Sequence, residues 1–188
     1  GDFTVILGEG TQSIRFGLHS IKNFGEGIAD VIITERTEHG KFTSLPDFLT
    51  RIQNRNLNKK SLEALVKCGA LDAFGERGQM LANMETLLEY NKEHANTGSA
   101  QVSLFGSLPS ATVLRLSDAP PATQWERLSW EKELLGLYIS GHPLDQFKEK
   151  LAKRQGTINQ LKESSRDGVT TVIAGIVEES KPIFTKSG

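Results

Sequence analysis

With 188 residues, 24% of them charged and 37% apolar, the chain is long enough for one or two modest domains, each with its own core. It has no apolar run of the length that crosses a bilayer, which excludes a membrane-spanning helix. The formal net charge of −1 argues against a nucleic-acid partner on average, yet Arg51, Arg55, Lys59 and Lys60 fall in one short window without an acid. On charge alone, a solvated helix end is the simpler meaning of that window. The opening Gly1-Asp-Phe-Thr-Val-Ile lacks a basic region and a cleavage site, so no secretory signal is expected. Cys68 is the only cysteine, which excludes an internal disulfide and predicts a reducing cytoplasmic setting. Its place in an apolar helical pattern predicts a buried structural thiol.

Residues 2–18 alternate apolar and polar side chains around Gly8-Glu-Gly-Thr, with Phe3, Val5 and Leu7 before it and Ile14, Phe16 and Leu18 after. This is the pattern of a β-hairpin. From His19 the period becomes helical. The stretch Ile21 to Ala29 predicts the end of one helix, a tight turn and the start of another. Asn23 and Gly25 tolerate the positive backbone angles of such a turn, and Phe24 between them can plug it into a core. The free amides of the next helix, backed by its dipole, then form an anion site at Gly25 and Gly27 that needs no particular base sequence.

Ile28, Val31 and Ile32 share a face of that helix, which should stop near His39-Gly40. Ser44 is placed to cap the next helix, with Pro46 in its first turn and Asp47 three residues after the cap. Leu45, Phe48, Leu49 and Ile52 then recur at helical spacing, and the spacing returns in Leu62, Leu65, Val66 and Gly69, where the glycine permits close helix contact. Helix, tight turn, helix is therefore written twice. Asn56-Leu57-Asn58 repeats the polar, apolar, polar order of Asn23-Phe24-Gly25, with asparagine accepting the left-handed backbone at some strain. Lys22 precedes the first turn; Lys59 and Lys60 follow the second.

Residues 77–95 predict one amphipathic helix with Met80, Met84, Leu87 and Leu88 as core. Residues 96–122, rich in Gly, Ser, Ala, Pro and Thr, predict a linker. Within it, Gln101-Val-Ser103-Leu104-Phe105 places two large apolar side chains in a polar segment, which suits either docking on a partner or anchoring on the chain's own domain. Trp125 to Tyr138 predicts a helix with Trp130, Leu134, Leu137 and Tyr138 on one face, ended by Gly141 and Pro143. Leu144, Phe147 and Leu151 support a further short helix. From Val169 the residues favour a strand and part of a second, so the chain is expected to stop inside a domain.

Catalytic patterns are absent. The acids are spread at pairing distance from lysine or arginine, His19, His39, His94 and His142 lack ligand spacing, and no Walker loop, Gly-x-Ser-x-Gly or zinc pattern occurs.

Three stretches together resemble the alpha subunit family of bacterial replicative DNA polymerase III. They are Ile14-Arg-Phe-Gly-Leu-His-Ser-Ile-Lys-Asn-Phe-Gly-Glu-Gly, Asn58-Lys-Lys-Ser-Leu-Glu-Ala-Leu-Val-Lys-Cys-Gly-Ala-Leu-Asp and Glu133-Leu-Leu-Gly-Leu-Tyr-Ile-Ser-Gly-His-Pro-Leu. The resemblance implies a mainly α fold: a β-hairpin from the end of the fingers over 1–18, a tandem helix-hairpin-helix domain gripping duplex DNA over 19–95, a linker with a sliding-clamp motif over 96–122, a helical connector over 123–167, and the start of a truncated OB-fold over 168–188. It implies duplex contacts at Lys22, Asn23, Gly25, Gly27, Arg55, Asn58, Lys59 and Lys60. It further implies clamp contacts at Gln101, Ser103, Leu104 and Phe105, with Val102 departing from the commoner leucine. Catalytic aspartates and their Mg²⁺ are expected in a palm upstream of residue 1, so this segment carries no catalytic residue, metal site or cofactor. The full-length protein is expected to be a DNA-directed DNA polymerase, a nucleotidyltransferase of the bacterial nucleoid with other replisome subunits as partners and no membrane. A helix-hairpin-helix repair protein, a glycosylase or nuclease scaffold, is the alternative; it would need a Gly/Pro-rich loop and a catalytic aspartate after the hairpin, and Asp30 lies in an apolar-faced helix instead.

Overall fold

The computed structural model describes residues 3–8, 11–97, 113–153, 159, 162–163, 168, 170, 172, 175–177 and 179–182. They fall into two units, 1–140 and 141–188. The first opens with β1 (Phe3–Gly8) and β2 (Thr11–Phe16), antiparallel with Phe3 opposite Phe16 and Val5 opposite Ile14. The Phe3 and Phe16 rings meet edge to face at 5.0 Å across this pair.

A single 3₁₀ turn, Leu18–Ser20, is all the helix that precedes the first tight turn, shorter than the helical period after His19 suggests. Helix α1 (Glu26–His39) follows, burying Ile28, Ala29 and Ile32, and Gly40 stops it with φ 82°. Helix α2 (Leu45–Arg51) starts as its sequence requires: Ser44 Oγ accepts from the Asp47 amide at 3.2 Å, while the Asp47 carboxylate accepts from the Thr43 amide at 2.8 Å. Helix α3 (Lys59–Lys67) has a reciprocal cap between Asn58 and Ser61 and buries Leu62, Leu65 and Val66.

Gly69 lies at φ 81° and ends α3, and a Cβ there would sit 2.3 Å from Nη2 of Arg77, the first residue of the helix that packs next on α3, so the glycine admits that helix's side chain.

The single helix expected over 77–95 is two, α4 (Arg77–Ala82) and α5 (Met84–Thr97), divided at Asn83. The Asn83 amide side chain explains the break. It donates to Ser117 O at 2.9 Å and accepts from the Ser117 amide at 2.8 Å, holding an extended segment against the helices. Residues 113–123 are therefore tied down, unlike a free linker: Leu114 and Leu116 pack on the core, and the Ala122 amide donates to Glu76 Oε1 at 2.9 Å. Gln101 to Phe105 lie outside the described residues.

Helix α6 (Gln124–Leu135) begins at a Thr123–Glu126 capping box and packs on α3. It ends earlier than expected, because Gly136 at φ 76° turns the chain out. Leu137 and Tyr138 thus fall beyond the helix, and the buried face is Leu128, Glu131 and Leu134. One core joins Ile21, Phe24 and Ile28 of the first hairpin, Phe48, Leu49 and Ile52 around α2, Leu57, Leu62 and Leu65 of the second, and Met80, Leu87 and Leu134. Each large side chain so buried contributes about 1.5–3 kcal/mol.

In the second unit a 3₁₀ turn, Asp145–Phe147, leads into α7 (Lys148–Ala152). The strand expected from Val169 falls partly outside the described residues, and Val172, Gly175, Ile176 and Val177, which are described, belong to no strand. An OB-fold is not seen among the described residues.

Candidate nucleic-acid interface

The two turns close alike. The Phe24 amide donates to Ile21 O at 3.1 Å, and the Leu57 amide donates to Asn54 O at 2.8 Å. Phe24 and Leu57 both point into the core. This register pairs Gly25 with Asn58 as N-caps, Glu26 with Lys59, and Gly27 with Lys60. The turns also lie side by side, since a Cβ on Gly27 would be 3.4 Å from Asn56 Nδ2.

The backbone angles separate them. Asn23 takes the left-handed conformation at φ 62°, as expected, but Gly25 is extended at φ −68°. Asn56 and Asn58 show no positive φ, so the second turn carries none of the strain its asparagines suggest. Asn56 instead bends through the Asn54 carboxamide, which accepts its amide at 2.9 Å. Asn23→Val is expected to lower stability by about 1–2 kcal/mol and Asn23→Gly to change it little, as measured by thermal unfolding.

Free amides are distributed unequally. Gly25 has no side chain to cap α1, so among the described residues the amides of Glu26, Gly27 and Ile28 have no hydrogen-bond acceptor. In α3, Asn58 Oδ1 already accepts from the Ser61 amide at 3.1 Å, leaving those of Lys59 and Lys60. The first turn therefore offers more donors, and the second more positive charge.

The cations also sort themselves. Arg51 is committed to structure: Nε donates to Glu35 Oε1 at 2.9 Å, Nη2 to Gly40 O at 3.0 Å, and the guanidinium lies 4.4 Å from the Phe42 ring centroid. Lys22, Arg55, Lys59 and Lys60 are exposed and form no ion pair among the described residues. Lys22, Asn23 and Lys60 line one pocket of about 190 Å³, shared with Glu63 and Glu133. The Lys22 amide donates to Leu134 O at 2.8 Å, which fixes the first turn against the end of α6.

Two supports of this arrangement escaped the sequence reading. Asn91 of α5 is buried and donates to Leu49 O at 2.6 Å and Ile52 O at 3.0 Å, satisfying the last carbonyls of α2 where the chain enters the second turn. Glu131, 1% exposed, accepts from Arg77 Nη1 at 3.0 Å and from the amides of Ile139 and Ser140 at 2.7 and 2.8 Å. Arg77, 4% exposed, also donates to Asp72 at 2.7 Å and to Lys67 O at 3.0 Å. Burial alone pushes the Glu131 carboxyl up, but the Ser140 and Ile139 amides and Arg77 together outweigh it and hold the group below its ordinary value. The signal was present in the sequence, since Glu131 is in phase with Leu128 and Leu134.

No group of acids, histidines or cysteines able to hold a metal occurs among the described residues. Burial pushes the Cys68 thiol up to about 11, consistent with a structural thiol. Asp30 is exposed and bonded to His19 Nε2 at 2.8 Å. No helix among the described residues is long and apolar enough to cross a membrane.

Residues 1–80 match the family described as a helix-hairpin-helix motif. The chain is 40% identical over 191 aligned residues to the DNA polymerase III subunit alpha of Thermus aquaticus, an alignment covering 100% of the chain and 15% of that protein. The corresponding protein of Deinococcus radiodurans is 45% identical over 141 residues, covering 72% of the chain and 10% of the relative, and that of Aquifex aeolicus 39% over 181 residues, covering 96% and 14%. The chain thus spans about 15% of the length of the first of these relatives. With two adjacent hairpin turns and this similarity along its length, the chain belongs to the DNA polymerase III alpha subunit family.

Proposed function

We propose that residues 14–75 bind duplex DNA without regard to base sequence, as part of the catalytic subunit of a bacterial replicative polymerase. The observation that carries this reading is the pairing of the two turns at Gly27 and Asn56, with unused amides of Glu26, Gly27, Lys59 and Lys60 at adjacent helix starts. Amides at a helix N-terminus suit phosphate oxygens, and phosphate contacts fix position without reading bases. Lys22, Asn23, Gly25, Gly27, Arg55, Asn58, Lys59 and Lys60 form the contact set. Neutralising ~4 phosphates gives a log-log salt slope of about −3.6 for duplex affinity, measurable by anisotropy with a labelled duplex. Affinity that ignores salt would sink the reading.

The remainder of the proposal rests on the family resemblance. Gln101 hydrogen-bonds at the rim of a pocket on the ring-shaped clamp, beside Ser103, while Leu104 and Phe105 fill it. A clamp pull-down tests this, since equal retention by the Leu104→Ala, Phe105→Ala double variant overturns it. Polymerisation, its Mg²⁺ and its catalytic aspartates belong to a palm outside this segment, which acts in the nucleoid with the other replisome subunits. A repair activity has less support, because Asp30 is bonded to His19 on an exposed helix face.

A further inference from the structure

Beside the two turns lies a groove that the hairpin pattern does not account for. It has a volume of about 370 Å³ and runs between the second turn and α5. Arg55 and Lys59 border it from the turn and Lys92 from α5, over an apolar floor that includes Leu57 and Leu88. Among the described residues no acid lines it, whereas the pocket at Lys22 and Lys60 includes Glu63 and Glu133. None of Arg55, Lys59 and Lys92 forms an ion pair among the described residues. An anion entering the groove meets these three cations together, which favours its binding there. The groove is also held in shape: Asn91, one residue before Lys92, ties α5 to the end of α2 through Leu49 O and Ile52 O.

We propose that this groove holds a further backbone phosphate of the bound duplex, with Lys92 as a DNA-contacting residue outside the two hairpins. The proposal rests on the duplex-binding reading above and extends it by one strand contact. Lys59 belongs to both surfaces, so a backbone that meets the amides of α3 passes directly to the groove. The ligand is a nucleic-acid phosphodiester; lone phosphate lacks the neighbouring hairpin contacts and binds far more weakly.

The test is duplex affinity of the whole chain at several salt concentrations, for the unaltered protein and for Lys92→Gln, Lys92→Glu and Lys41→Gln. Lys41 is a suitable control because it is exposed and follows the C-terminal end of α1, away from the helix start that faces phosphate. Lys92→Gln is expected to weaken binding roughly 3- to 10-fold and to make the log-log slope shallower by about 0.9, one phosphate contact. Lys92→Glu should weaken it further, and Lys41→Gln should match the unaltered protein. Thermal unfolding should be unchanged in all three, since these side chains are exposed. An unchanged slope and affinity in Lys92→Gln, or an equal loss in Lys41→Gln, overturns the groove while leaving the hairpins as the duplex site. Absence of salt-dependent binding by the unaltered protein overturns both.

Discussion

Replacing Glu131 by alanine is expected to lower the free energy of unfolding by about 3–5 kcal/mol, the usual cost of removing one partner from a buried ion pair. Arg77 would remain buried with Asp72, a partner whose side chain is 44% exposed, and the Ile139 and Ser140 amides would lose their shared acceptor. Against a domain stability of roughly 5–15 kcal/mol this is a large share, so the variant should unfold at much lower urea. The joint replacement Glu131→Leu with Arg77→Met should recover part of the loss, because two apolar side chains leave no buried unpaired charge, and Asp72, 44% exposed, can turn to water. Urea unfolding followed by circular dichroism measures both; a loss under about 1 kcal/mol for Glu131→Ala would show that the pair contributes little.

Acid makes the same point through linkage. The folded-state value of Glu131 lies below its ordinary 4.5, so its contribution is complete above that value and is lost as pH falls through the lower folded-state value. Glu35, Asp47 and Glu76 are also lowered and act in the same direction. The difference between the unaltered protein and Glu131→Gln isolates the Glu131 part, and it should shrink as pH drops below 4.5.

The second large effect concerns binding. Changing Lys59 and Lys60 together to glutamate should weaken duplex affinity at least roughly tenfold, and the neutral pair Lys59→Gln, Lys60→Gln should make the salt slope shallower by about 1.8. Stability is expected to move the other way. Two lysines in the first turn of α3 oppose the positive end of the helix dipole, so removing each should stabilise the fold by about 0.3–1 kcal/mol. Weaker binding in a more stable protein distinguishes a contact role from a folding role. Glu26, in the equivalent position of α1, favours its dipole and competes with phosphate. Glu26→Gln should therefore tighten binding and slightly destabilise α1. If the double lysine variants bind as tightly as the unaltered protein, α3 is not a phosphate site.

Charge counted from the sequence ranks the second hairpin above the first, and the structure changes the terms of that ranking. Asn58 uses one of α3's amides for its own cap, while Gly25, having no side chain, leaves α1's open. The first turn offers more unpartnered amides, and the second more positive charge. A sequence shows which residues stand beside a turn, but not which amides remain without a partner.

Local rules determined a good deal. The Ser44 and Asn58 caps, the left-handed Asn23, the stop at Gly40, the apolar plugs Phe24 and Leu57, and the periodic faces of α2 and α3 all depend on residues within a few positions of each other. Those interactions are legible because the partners are neighbours in the chain. The tertiary structure decided what depends on distant partners. Asn83 breaks a helix to hold Ser117, Arg51 leaves the basic window for Glu35, Arg77 reaches Glu131, and Lys92 comes to line one groove with Arg55 and Lys59. A polar side chain has the same helical period whether it meets water or a partner fifty residues away, so only packing distinguishes the two.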